Sequence, residues 1–264
     1  DTVEVPGNWQ LQGHGRPVYT NVKYPFPVTP PEVPEQNPTG CYRRDFFLEE
    51  QDLSGQLRLI FDGVDSAFLV WCNGQLAGYS QDSRLPAEFD ISALVHQGDN
   101  QVAVMVLRLC DGSYLEDQDM WNLSGIYRSV SLLFKPQVHI TDLRVTATLD
   151  EHYQAGVLKV EVLCNRPHSG RVQVCLFDAN GVQVLRHEQP MGTPAVDERG
   201  RYKDRVRLEL EVPSANPWSA ELPTLYRLVT SLLDSDGQVN ECEAATIGFR
   251  TSEIVDGQLL LNGK

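Results

Sequence analysis

Apolar residues recur along this chain at every second position far more often than at helical spacing, and the elements this predicts are strands. Residues 57–61 and 67–72 are short apolar runs. Asn73-Gly74 separates the second of them from residues 75–79. Both turn residues tolerate positive φ, so a tight hairpin is predicted. Residues 101–109 are apolar on both faces, with Val102, Val104 and Val106 set against Ala103, Met105 and Leu107. That pattern predicts a central strand buried between two layers. Residues 126–134 predict one more strand, and no amphipathic run predicts a helix of useful length.

Pro136 marks a joint, and the strands beyond it are punctuated differently. Asn180-Gly181 joins residues 172–177 to 182–185, and Asp236-Gly237 follows residues 228–233. Residues 157–162 form another run, and in residues 205–212 Val206, Leu208, Leu210 and Val212 alternate with Arg or Glu. Short strands at regular turn spacing predict an immunoglobulin-like sandwich, here without the usual disulfide spacing. The stretch up to Gly40 holds Pro17, Pro25, Pro27, Pro30, Pro31, Pro34 and Pro38, which exclude a long regular element. Trp9, Tyr19, Tyr24 and Phe26 are interleaved with them, so this segment is predicted to lie ordered on a sandwich surface.

Composition narrows the partners. The 264 residues accommodate two domains of ordinary size. Residues 1–137 hold 9 Lys/Arg against 18 Asp/Glu, and residues 138–264 hold 13 against 18. Neither half offers the basic stripe that a phosphate backbone or an anionic membrane surface needs, so nucleic acid and membrane are not expected partners. No stretch is long and apolar enough to span a bilayer, and no signal peptide is visible. The six cysteines show no Cys-x-x-Cys pair and no His at zinc-ligand spacing, which reads as reduced thiols in a cytoplasmic protein.

The chemistry concentrates in Asp111-Gly-Ser-Tyr-Leu-Glu-Asp-Gln-Asp119-Met-Trp121. Asp111, Glu116, Asp117 and Asp119 repel one another, so the loop needs a cation, a network of donors or a polyol to hold it. A glycosidase requires two carboxyls on opposite sides of one bond, which neighbours on a single loop rarely provide. Ligand hydrogen bonding or coordination of a hard cation suits these oxygens better. Trp121 and Tyr114 are candidates to stack on a sugar face or to join the core. Asn21 and Gln81 are amides in turn-like contexts. Nucleophile elbows, phosphate-cradling glycine loops and Cys/His arrangements are absent from the sequence.

A set of longer motifs carries a resemblance. They are Val5-Pro-Gly-Asn-Trp9, Tyr19-Thr-Asn21, Asn37-Pro-Thr-Gly-Cys-Tyr42, Gly78-Tyr-Ser-Gln-Asp-Ser83, Leu85-Pro-Ala-Glu-Phe-Asp-Ile-Ser92 and the acidic loop. In the second half Asn216-Pro-Trp218, Leu222-Pro-Thr-Leu-Tyr226, Ile247-Gly-Phe-Arg250 and Leu259-Leu-Leu-Asn-Gly-Lys264 follow in order. Across essentially its whole length the chain resembles the bacterial β-galactosidases of glycoside hydrolase family 2. Asn122 departs from the pattern, where a basic residue is expected.

The resemblance implies an all-β chain: a jelly-roll β-sandwich in residues 1–137, an immunoglobulin-like β-sandwich in 138–251, and in 252–264 a strand leading into a (β/α)₈ catalytic barrel. It implies that both catalytic glutamates belong to that barrel, so this portion is expected to be inactive alone. It further implies that Asn21 and Asp119 bind galactose hydroxyls, that Asp119 also ligates sodium, and that Gln81 and Asp111 ligate magnesium. The expected partners are a β-galactoside such as lactose, the remaining domains of the same chain, and further copies in a homotetramer. Two other readings stand beside this one: a free-standing carbohydrate-binding module, and a pair of scaffolding sandwiches with no ligand.

Overall fold

The computed structural model describes residues 2–21, 23–166, 169–191, 195–196 and 202–264. They divide into two compact units, Asp1–Gln137 and Val138–Lys264.

The first unit runs β1 (Val18–Thr20), β2 (Thr39–Leu48), β3 (Gln56–Phe61), β4 (Ala67–Cys72), β5 (Gln75–Gln81), β6 (Ala87–Asp90), β7 (Gly98–Leu107), β8 (Met120–Asn122) and β9 (Val130–Lys135), with a short α-helix, α1 (Ser113–Glu116), and 3-10 turns at Trp9–Gln12 and Glu50–Leu53. Sheet order is β2-β7-β4-β5 in one layer and β6-β3-β9 in the other, with β1 and β8 as a separate ribbon. Side chains from both layers, Phe61, Phe68, Val70, Ile91 and Val106 among them, form a single jelly-roll core. The Asn73-Gly74 turn forms as predicted, with φ of 49° and 78°. Val102, Val104 and Val106 of β7 are buried, but Ala103, Met105 and Leu107 on its other face are only half-buried. This strand is therefore covered fully on one side only.

Alternation alone does not predict β2, because Arg43, Arg44 and Asp45 interrupt it. The strand exists by pairing residue for residue with β7, from Thr39↔Leu107 to Leu48↔Gly98. The run at 126–134 overestimates its strand. Gly125 turns the chain at φ +127°, Ile126 drops into the core, and the ladder begins only at Val130. The aromatics of the proline-rich segment pack against the rest of the unit. Trp9 is buried in the core cluster, and Tyr24 and Phe26 pack on Tyr114 at 5.6 and 5.2 Å between ring centroids.

The second unit runs β10 (Ile140–Leu149), β11 (Gly156–Cys164), β12 (Arg171–Phe177), β13 (Gln183–Pro190), β14 (Ala195–Val196), β15 (Tyr202–Val212), β16 (Tyr226–Leu233), β17 (Val239–Ile247), β18 (Ser252–Val255) and β19 (Gln258–Leu261). Sheets ordered β10-β11-β15-β14 and β13-β12-β16-β17 make an immunoglobulin-like sandwich, and β18 and β19 form a hairpin. Its core is aliphatic, built on Leu158, Val160, Val162, Val174, Leu176, Leu228 and Leu232, with Phe249 against Tyr226. No disulfide contributes: all six cysteines are free, four of them buried. Among the described residues no helix is long and apolar enough to cross a membrane.

Candidate functional site

The β1–β8 ribbon brings two distant stretches of chain together. Its register pairs Val18 with Asn122, Tyr19 with Trp121 and Thr20 with Met120. The ladder ends there; Asn21 follows the last pair on one strand and Asp119 precedes it on the other, and both are exposed. Tyr19 and Trp121 are 51% and 57% exposed, with ring centroids 5.6 Å apart and planes tilted by 56°. The Tyr19 hydroxyl donates to Asp119 Oδ1. That bond, ahead of partial burial and the nearby negative charge, raises the Tyr19 pKa. An exposed aromatic pair beside a carboxylate and an amide can stack on an apolar ring face and bind the hydroxyls at its rim.

Inside the acidic loop each carboxylate has found its own surroundings. Asp111 Oδ1 accepts the Gly112 N–H at 2.9 Å. Glu116 accepts the Ser83 N–H at 2.8 Å and the Ser83 hydroxyl at 2.6 Å. Asp117 is half-buried, and burial raises its pKa. Of the three supports that the loop's charge calls for, a donor network is therefore present within the chain. Among the described residues, no three His, Cys, Asp or Glu side chains converge as a metal cluster. Helix α1 and the extended turn after it spread the four carboxylates in space, although they are close in sequence.

Sequence reasoning missed the layer beneath. Asp65, isolated between two apolar runs, is largely buried and pairs with Arg84 at 3.4 Å. Arg84 also lies 3.7 Å from Met120 Sδ, and the Tyr127 hydroxyl donates to the Ser83 carbonyl. Arg108 donates to Asn122 Oδ1 at 3.1 Å, so the unusual Asn122 is tied to β7's end. No local sequence signal marks these partners, because each contact joins segments 14 to 44 residues apart. Tyr114 is not available to a sugar. Its hydroxyl donates to the Glu32 carbonyl at 2.6 Å and accepts from Thr29 N–H at 3.2 Å, anchoring the proline-rich segment.

Residues 1–136 match the family described as "Glycosyl hydrolases family 2, sugar binding domain", and residues 138–250 match "Glycosyl hydrolases family 2". The chain belongs to glycosyl hydrolase family 2. Similar proteins include the beta-galactosidase of Erwinia tasmaniensis, 54% identical over 265 residues that take in 99% of this chain and 26% of that protein. The beta-galactosidase of Pectobacterium atrosepticum is 54% identical over 268 residues, 100% of this chain and 26% of that one. The family 2 chain thus spans 26% of the length of these curated relatives. Among solved structures, a glycosyl hydrolase family 2 member from Bacteroides cellulosilyticus has a TM-score of 0.75 at 25% identity, covering 86% of this chain and 30% of that one. The beta-glucuronidase of Bifidobacterium dentium shares the fold, with a TM-score of 0.69 at 23% identity over 85% of this chain and 41% of that one.

In this family 2 chain Gln81 and Asp111 are both exposed. The Tyr79 hydroxyl donates to Gln81 Oε1 at 2.6 Å. Burial raises the Tyr79 pKa, and the charges of Cys110 and Asp111 raise it further. An amide oxygen and a carboxylate are the donor types a hard cation takes, and two of them leave most of its coordination to water or other residues.

Proposed function

We propose that this chain is the non-catalytic, sugar-gripping portion of a retaining β-galactosidase acting on terminal β-D-galactosides such as lactose. In this reading Asn21 and Asp119 hydrogen-bond galactose hydroxyls, and Trp121 with Tyr19 shapes the edge of the pocket. The reactive carboxyls and the rest of the pocket come from a barrel domain of the same polypeptide. A retaining glycosidase needs two carboxyls about 5 Å apart across the scissile bond. Asp117 and Asp119 belong to one loop and one side, so they suit binding rather than catalysis. The β1–β8 ribbon, whose last pair is flanked by the exposed residues Asn21 and Asp119, supports this reading. The beta-galactosidase names of the relatives support the sugar class.

Ion sites follow the same logic. Gln81 and Asp111 would hold magnesium, and Asp119 sodium. Bound there, either ion would supply a hard positive centre. The chain's own contribution is to keep these oxygens exposed while Tyr79 and Tyr19 orient them. The parent enzyme would act as a homotetramer. The test is Asp119→Asn in the longer enzyme, assayed on a nitrophenyl β-galactoside. Loss of one charge-assisted hydrogen bond should lower kcat/KM about 10- to 100-fold. Unchanged turnover would overturn the reading.

A further inference from the structure

We propose that Glu116 is a positioning residue for Asp119, acting through Ser83; the assignment rests on Asp119 gripping a sugar hydroxyl. Glu116 closes α1, three residues before Asp119. Both of its oxygens are committed to one residue, Oε1 to the Ser83 N–H at 2.8 Å and Oε2 to the Ser83 hydroxyl at 2.6 Å. Two charge-assisted bonds to a single partner fix direction as well as distance.

Ser83 is itself a fixed point. It is 0% exposed, and its carbonyl accepts the Tyr127 hydroxyl. The Arg84 and Arg128 guanidinium groups lie 5.7 and 5.2 Å from the centroid of the Tyr127 ring. Arg128 also donates to the Arg84 carbonyl at 2.9 Å. The connection between β5 and β6 is therefore braced from several sides.

On the other side of Asp119, Met120 pairs with Thr20 in the ribbon. Asp119 thus hangs between two anchors, the Glu116 clamp and the ribbon, with only Asp117 and Gln118 between it and the clamp. The Met120 N–H donates to the Gln118 carbonyl at 2.7 Å, which removes further slack. Helix α1 has four residues and cannot hold its own end in place. Tyr114 ties the middle of α1 to the proline-rich segment, and the Glu116 clamp extends that hold to the end of the helix from which Asp119 follows.

Glu116→Ala removes both arms of the clamp. Ser83→Ala removes the hydroxyl arm, together with that hydroxyl's bond to Asp65, and serves as the second variant. In the longer enzyme, kcat/KM on a nitrophenyl β-galactoside is measured for wild type, Glu116→Ala, Ser83→Ala, Asp119→Asn and each clamp variant combined with Asp119→Asn. Glu116→Ala should lose about tenfold, carried mainly by KM, through misplacement of the gripping group. Combined with Asp119→Asn it should add less than about twofold, because the two act as one unit. Ser83→Ala should behave alike with a smaller loss, and urea midpoints should stay near wild type. Full additivity, or wild-type kinetics in both clamp variants, would sink the proposal while leaving the role of Asp119 intact. A silent Asp119→Asn would instead remove the sugar-gripping role and this proposal with it.

Discussion

Burial pushes the Asp65 carboxyl from 3.8 up to about 7, against the pull of Arg84. The unfolded chain releases this proton near 3.8, while the folded chain holds it to about 7. Between those values the folded state binds more protons, so stability falls as pH rises from about 4 to about 7 and levels off above. At about 1.4 kcal/mol per unit the full effect is at most about 4 kcal/mol. Urea unfolding of wild type and Asp65→Asn at pH 5 and pH 8 reads it out: the variant should gain on wild type at the higher pH. A gap that does not move with pH would show that Asp65 titrates normally. Single residues were only half legible beforehand. Asp119 and Glu116 stood out by motif, but their partners Tyr19 and Ser83 were invisible as donors. A hydroxyl acquires that role only when the fold delivers an acceptor to it.

Elements defined by their own alternation were readable, and elements defined by their neighbours were not. The β4–β5 hairpin and the inward face of β15 follow from local pattern. β2 and β6 depend on the strands that pair with them. Gly78 of β5 illustrates the same dependence, because a Cβ there would lie 2.6 Å from the Phe89 ring. Its φ is not in the left-handed region, so the requirement is purely one of space. Gly74 is the converse: nothing lies within 4 Å, but its φ is +78°. Gly78→Ala should therefore cost about 1–3 kcal/mol by overpacking. Gly74→Ala should cost about 1 kcal/mol by backbone strain. Denaturant midpoints of the two variants check both. A Gly78→Ala protein as stable as wild type would mean that β6 yields to the extra methyl group.

At the scale of the whole molecule, the ribbon offers an exposed carboxylate, an amide and two aromatic rings on one edge, which is only part of an enclosure for a sugar. Small-molecule sites bury most of their ligand's surface. Calorimetry of the 264-residue chain with millimolar galactose should therefore show no binding heat, and the chain alone should not release nitrophenol from a nitrophenyl β-galactoside. Saturable heat would favour the free-standing carbohydrate-binding module, the reading to which the exposed Tyr19–Trp121 pair lends most weight. Exposed apolar side chains at Leu222, Ile254 and Leu259 fit surfaces that further polypeptide would cover.

The amino-acid pattern by itself determined an all-β chain with two sandwich cores, because period-two alternation and turn chemistry act over a few residues and need no distant partner. It also singled out the acidic loop, since charge density is a local property. Tertiary structure alone decided what each carboxylate does. It split four neighbouring acids among Gly112, Ser83, a half-buried site and Tyr19. It also paired Thr20 with Met120 and Tyr19 with Trp121 across about a hundred residues. Hydrogen bonds reach only about 3 Å, so which donor meets which acceptor is settled by long-range pairing of strands.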